Sequence, residues 1–149
     1  MPRVTGTLEA ALYATDLDRA ERFYTDIVGL TVIARKPGRH VFFAVGRSVL
    51  LVFDPRATLS PPRPDAALPV PAHGATGPGH YCFRVDRDEL DAWRLHLERH
   101  GIAIEAEIAW PNGARSIYVR DPAGNSIEFG EEALWFSPGA TDAPDDGDR

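Results

Sequence analysis

The chain has 149 residues, 44% hydrophobic and 26% charged, the size and make-up of one ordinary globular domain. No apolar run exceeds five residues (Val41–Val45, Val49–Phe53), which excludes a membrane-spanning helix, and the single cysteine, Cys82, excludes an intrachain disulfide or a cysteine-rich zinc module. The net charge of −6 includes −3 from Asp142–Arg149, and the lack of a basic stripe or basic amphipathic helix argues against nucleic acid and membrane partners.

From the N-terminus, Met1–Glu9 carries no secretory apolar stretch, so a cytoplasmic location is expected. Leu8 to Asp16 reads as a short alternating strand ending at a helix N-cap residue. Leu17, Ala20, Phe23, Tyr24, Ile27 and Val28 then fall on one helical face, closed by Gly29. Strands are expected at Thr31–Arg35, His40–Val45 and Ser48–Phe53, the last two joined by a tight Gly46-Arg47 turn.

Pro55 to Gly79 follows, with six prolines after Pro55 and little periodicity, an extended connector longer than a compact domain ordinarily needs. His80–Val85 is the next expected strand. Asp86 and Glu89 form a capping-box pattern, and Leu90, Trp93 and Leu97 make a helical face that stops at Gly101. Ile104–Trp110, Ala114–Arg120 and Ser126–Gly130 complete the set, with Asp121-Pro122-Ala123-Gly124-Asn125 as a turn. The order β-α-β-β-β thus occurs twice, in residues 7–54 and 80–132, joined by 55–79 within a single domain. Residues 137–149 read as a disordered acidic tail.

Side chains alternate across a strand with period two. On each half the apolar set, including Leu8, Ala10, Leu12, Phe83, Ile117, Val119, Ile127 and Phe129, belongs under a helix. The opposite, concave face then collects Glu9, Tyr13, His80, Cys82, Arg84, Ser116, Tyr118 and Glu128, with His40 and Phe42 as first-half counterparts of Ser116 and Tyr118. Aligning the halves pairs Glu9 with His80 and Leu50 with Glu128. Two carboxylates and an imidazole on one face are consistent with a shared cation, or with three separately hydrogen-bonded or solvated polar groups. Cys82 reads as an inert thiol, His73 as a loop histidine able to cap the face, and His96/His100 as solvated helix residues.

Asp16-Leu17-Asp18-Arg19-Ala20-Glu21-Arg22-Phe23-Tyr24, Gly29-Leu30, Gly79-His80 and above all Asp121-Pro122-Ala123-Gly124-Asn125-Ser126-Ile127-Glu128 carry a resemblance over residues 7–132. The chain resembles the vicinal oxygen chelate superfamily of glyoxalases, fosfomycin-modifying thiol transferases, methylmalonyl-CoA epimerases, extradiol dioxygenases and bleomycin-resistance proteins. The resemblance implies an α+β fold of two paired βαβββ modules in a curved, cup-shaped mixed sheet with helices outside. It also implies a homodimer, and one divalent metal ion (Mn, Mg, Ni, Zn or Fe(II)) on Glu9, His80 and Glu128. The glyoxalases' fourth ligand position falls on Leu50, and thiol transferases and dioxygenases have His where this chain has Glu9, which favours a harder ion.

The implied activity is that of a lyase, isomerase or transferase on a small oxygen-rich substrate, whose enolate or alkoxide the cation stabilises. Glu9, Glu128 and Tyr118 are the catalytic candidates, and Tyr13, His40, Phe42, Arg84, Arg115, Ser116 and Tyr118 the substrate-binding ones. The alternatives are a metal-free sequestering protein of bleomycin-resistance type and an Fe(II) extradiol dioxygenase.

Overall fold

The computed structural model describes residues 1–136; the acidic tail expected at 137–149 lies outside them. Eight strands form two four-stranded mixed sheets, ordered β1-β4-β3-β2 and β5-β8-β7-β6. The strands are β1 (Glu9–Tyr13), β2 (Thr31–Lys36), β3 (His40–Val45), β4 (Ser48–Phe53), β5 (His80–Val85), β6 (Ile104–Ala109), β7 (Arg115–Arg120) and β8 (Ser126–Glu131). The helices are α1 (Leu17–Arg22), a short α2 (Pro55–Thr58) and α3 (Leu90–Arg99). By compactness the described residues divide into one unit of Met1–Tyr81 with Arg120–Ile127, and another of Cys82–Val119 with 128–136.

In the first unit β1 runs parallel to β4, while β3 is antiparallel to both β2 and β4. Asp16 caps α1 as expected, its Oδ1 accepting from the Arg19 N–H at 2.9 Å. The helix does not continue as a plain α-helix: Phe23–Ile27 is a π turn, and Thr25 Oγ donates back to the Glu21 carbonyl at 2.9 Å. Ala20, Val41, Phe43, Leu50 and Val52 are all fully buried, with Tyr24 among them, so the helix-facing side of the sheet is the core. Leu8 departs from its expected place there: it precedes β1 and is 74% exposed. Gly46 takes φ +56 between Val45 and Ser48, the left-handed start that a tight hairpin turn requires.

In the second unit Leu90 and Leu97 of α3 are buried, as are Ile117, Val119 and Phe129. Trp93 stacks on Phe129 with ring centroids 4.4 Å apart. The capping box does not form: Asp86 makes no side-chain cap, and a 3-10 turn at Arg87–Glu89 precedes α3. The backbone closes that turn itself, Glu89 N–H donating to the Asp86 carbonyl at 3.1 Å. Gly101 ends the helix at φ +68.

Candidate functional site

The D-P-A-G-N segment is more than a turn. Asp121 is buried, and its carboxylate accepts from four donors: the Ala123 and Asn125 N–H groups on Oδ1 (2.9 Å each), and Tyr24 Oη (2.8 Å) and Asn125 Nδ2 (2.9 Å) on Oδ2. Burial, followed by the Asp121 charge and hydrogen bond, raises the Tyr24 phenol far above its usual range, so it stays a donor. The Asn125 amide then ties two strands, donating to the Tyr13 carbonyl at 3.2 Å and accepting from the Gly79 N–H at 2.8 Å. A Cβ at Gly79 would meet Leu12 Cδ2 at 2.9 Å and Asn125 Oδ1 at 3.3 Å, so a larger residue before His80 would have to displace the Leu12 side chain.

His80 is set by this framework. The Ser126 N–H donates to the Gly79 carbonyl at 2.9 Å, and His80 Nδ1 lies 3.2 Å from the Ser126 carbonyl. A carbonyl oxygen only accepts, so Nδ1 carries the proton and the lone pair of the neutral ring is on Nε2. Both His80 and Glu9 are on exposed positions of their strands. Tyr13 Oη is 2.9 Å from His73 Nδ1, so the connector histidine does reach this face. His40 and Phe42 stack at 4.0 Å with 12° between their planes. Burial, then the Arg39 and Lys36 charges, lower the His40 pKa.

In the second unit Glu128 is 6% exposed, on the side of β8 away from Ile127 and Phe129. Trp110 Nε1–H donates to Ser116 Oγ at 2.9 Å, Ser116 hydrogen-bonds with the Tyr118 hydroxyl, and Tyr118 with Glu128. Burial and the Glu128 carboxylate raise the Tyr118 pKa against the opposing Ser116 bond. The Cys82 thiol donates to the Phe83 carbonyl at 3.7 Å, and desolvation followed by the Glu128 charge pushes it up to about 12, which keeps it protonated and not a nucleophile. Gly130 leaves room beside this carboxylate: a Cβ there would sit 3.3 Å from Glu128 Oε1 and 3.0 Å from Cys82 Sγ.

The two arginines expected to hold substrate are paired within the protein. Arg84 Nη1 donates to Glu132 Oε1 at 2.9 Å, and Arg115 Nη2 to Asp91 Oδ1 of α3 at 2.6 Å. By alternation Arg115 shares the helix-facing side with Ile117, away from Ser116 and Tyr118. On α3, His100 Nδ1 donates to the His96 carbonyl at 2.8 Å.

The backbone also corrects the internal alignment. Val49 N–H donates to the Leu8 carbonyl just as Ser126 N–H donates to that of Gly79. Glu9 therefore matches His80, but Glu128 matches Leu51, not Leu50, which is on the buried helix side. The position remains aliphatic, so no fourth ligand appears.

The donor chemistry of His80 and Glu128 suits a divalent ion: an imidazole with its second nitrogen on a carbonyl, and a buried carboxylate with space kept beside it. Among the described residues no three His, Cys, Asp or Glu side chains are gathered closely enough to hold a metal. The case for the ion therefore rests on the kind of donors present.

Residues 6–129 match the family described as Glyoxalase/Bleomycin resistance protein/Dioxygenase superfamily. The chain belongs to this superfamily. A solved structure described as lactoylglutathione lyase from Agrobacterium tumefaciens is 47% identical with a TM-score of 0.85, covering 91% of this chain and all of that one. The catechol-2,3-dioxygenase of Bacillus subtilis (strain 168) is 30% identical over 122 residues, 80% of this chain. This chain spans only 39% of the length of that curated relative. TioX from Micromonospora sp. ML1, at 22% identity and TM-score 0.63 over 85% of this chain and 98% of its own, shares the glyoxalase-superfamily fold. No helix of the described residues is long and apolar enough to cross a membrane.

What the sequence pattern missed is the positioning layer, namely Tyr24, Asp121, Asn125 and Gly130. The Asp121-to-Asn125 segment and a glycine two residues after Glu128 on the same strand face were the local signals available.

Proposed function

We propose that this chain is a metal-dependent lyase, isomerase or transferase, acting as a homodimer on a small substrate with two neighbouring oxygens. The observation that carries this reading is Glu128, a buried carboxylate on the helix-free face, held by the Tyr118 hydroxyl and given space by Gly130. The ligands proposed for one divalent ion are Glu9, His80 and Glu128. Bound there, the ion would supply Lewis-acid stabilisation of negative charge on the substrate oxygens.

The remaining work falls to the protein's own groups. The Ser126 carbonyl keeps His80 in the Nδ1–H tautomer and fixes its ring. Tyr118 stays protonated at neutral pH, and its hydroxyl holds the Glu128 carboxylate in one orientation. Glu9, on an exposed strand position, is the carboxylate that takes a proton from substrate carbon and returns it, with Glu128 as the other candidate. The likeness to the lactoylglutathione lyase structure supports this lyase or isomerase chemistry.

Metal analysis of protein purified without an affinity metal, then calorimetric titration with Mn, Ni, Zn and Mg after chelation, tests the reading. Micromolar binding that His80→Ala and Glu128→Ala abolish is expected. No binding of any of these ions overturns it and leaves metal-free sequestration in front. That second reading is favoured by the absence of a gathered triad among the described residues. The catechol dioxygenase relative supports a third, which oxygen uptake with catechol and Fe(II) would reveal.

A further inference from the structure

The first sheet buries its helix-facing side, and its other side, buried at Leu51 and Phe53, is lined with rings. Pairing places Tyr13 opposite Phe53 and Phe53 opposite His40, while Phe42 sits two residues along β3 on the same face. Phe53 is the centre: its ring lies 6.4 Å from Tyr13, 5.8 Å from His40, 5.1 Å from Phe42 and 4.6 Å from His73. Phe53 is buried, but Tyr13, His40, Phe42 and His73 are each only half-buried. We propose that Tyr13, His40, Phe42 and Phe53, walled by His73, form a subsite for a planar, uncharged aromatic ring of the substrate.

Simple packing explains this cluster poorly. The core beneath the helix is already complete, with Tyr24, Phe43, Leu50 and Val52 fully buried. His40 keeps a buried Nδ1 with no hydrogen-bond partner, whereas phenylalanine would fill the same stack without an orphaned nitrogen. The connector is also anchored to bring its ring here. His73 N–H donates to the Thr58 carbonyl at 3.0 Å, Gly74 lies so close to Leu59 that a Cβ would come within 2.7 Å, and the Tyr13 hydroxyl meets His73 Nδ1.

The ring's chemistry follows from the charges nearby. A ring face attracts cations, but the Arg39 and Lys36 charges act on His40 and repel one there. The same two charges draw an anionic ring toward His40, but Glu9 on the β1 face, four residues from Tyr13, opposes it. Neither sign of charge is therefore favoured across the whole surface. A neutral aromatic group, stacked or edge-on, is what the surface suits.

This inference rests on the reading that the substrate carries two neighbouring oxygens, so the probes are mandelate and lactate. Both have a hydroxyl beside a carboxylate and differ in phenyl against methyl. Calorimetric titration of the full chain, with and without Mn, should show mandelate binding about tenfold tighter or better. Phe42→Ala should cut that preference to about threefold or less, His40→Phe should keep it, and lactate affinity should stay within about twofold in both. In the wild type, mandelate should shift the His40 ring-proton NMR signal, assigned by its loss in His40→Phe, and lactate should not; this reading needs no truncated variant to fold.

Equal affinities, a preference that survives Phe42→Ala, an unshifted His40 signal, or no binding of either probe at roughly 10 mM each overturns the subsite. The metal reading fails differently: Mn then changes neither affinity while the ring preference remains. Loss of the preference with the Mn effect intact condemns the subsite alone.

Discussion

The two halves of the chain share a topology and differ in what they place on the helix-free face. At matched positions the first sheet has Phe42, Leu51 and Phe53 where the second has Tyr118, Glu128 and Gly130, and His40 where the second has Ser116. The helix-facing positions, by contrast, are alike: Val41 and Ile117, Phe43 and Val119, Leu50 and Ile127, Val52 and Phe129 are all at most 1% exposed. A repeated βαβββ unit thus conserves only its buried face in kind. Its open face is left to diverge, one half towards rings and the other towards a hydroxyl–carboxylate relay.

Exchanging the matched residues is the strongest way to break this division. Leu51→Glu puts the second sheet's carboxylate among the rings of the first, at a position 9% exposed and without the donors that serve Glu128. We expect a loss of about 3 kcal/mol or more at neutral pH in urea denaturation. The loss should shrink on acidification as the new carboxyl takes a proton. A loss under about 1 kcal/mol would mean that the first face accommodates a carboxylate as well as the second, and the contrast would fail. The reciprocal Glu128→Leu leaves the Tyr118 donor without this acceptor, but it also removes a buried charge. Stability should therefore change by about 1 kcal/mol at most, while divalent-metal affinity falls about 100-fold in calorimetry.

A smaller change sharpens the contrast at one atom. Gly130→Ala adds a methyl 2.6 Å from Leu134 Cδ1, 3.0 Å from Cys82 Sγ and 3.3 Å from Glu128 Oε1. Overpacking of this kind costs about 1–2 kcal/mol, offset in part by about 0.4–1 kcal/mol from a stiffer unfolded chain. A net loss below about 1.5 kcal/mol in thermal denaturation, with weaker metal binding, is the expected result. Unchanged metal affinity would show that the space beside Glu128 has no bearing on the ion.

These contrasts were only partly legible in the amino-acid order. Period-two alternation placed Glu9, His40, Phe42, Tyr118 and Glu128 on helix-free faces because strand geometry is local. The exchange of Leu50 for Leu51 arose because an apolar strand with both faces buried, Leu50 to Phe53, hides its phase, and only the Val49–Leu8 hydrogen bond reveals it. The bond from Tyr24 to Asp121 spans 97 residues, and no periodicity predicts such a partner. Asp86 shows the converse failure, a good local capping pattern set aside by a 3-10 turn that satisfies its own backbone.

The smallest expected effect concerns His40, which the first sheet uses where the second has Ser116. Its folded-state pKa lies below the ordinary 6.5, because burial and then the Arg39 and Lys36 charges disfavour the imidazolium. Above pH 6.5 the ring is neutral in both states and contributes no pH dependence. Below 6.5 the unfolded chain takes up a proton that the folded stack still refuses, so stability falls as the pH is lowered until the folded-state value is reached. The ring is only half-buried, so the slope should stay well under that of one full proton. His40→Phe keeps the stack on Phe42 without a titrating nitrogen, and its urea midpoint should fall less than the wild type's between pH 7 and about 5.5. If the two midpoints fall in parallel, the titrating group lies elsewhere, and the imidazole at position 40 is ordinary hydrated surface rather than part of a ring-lined face.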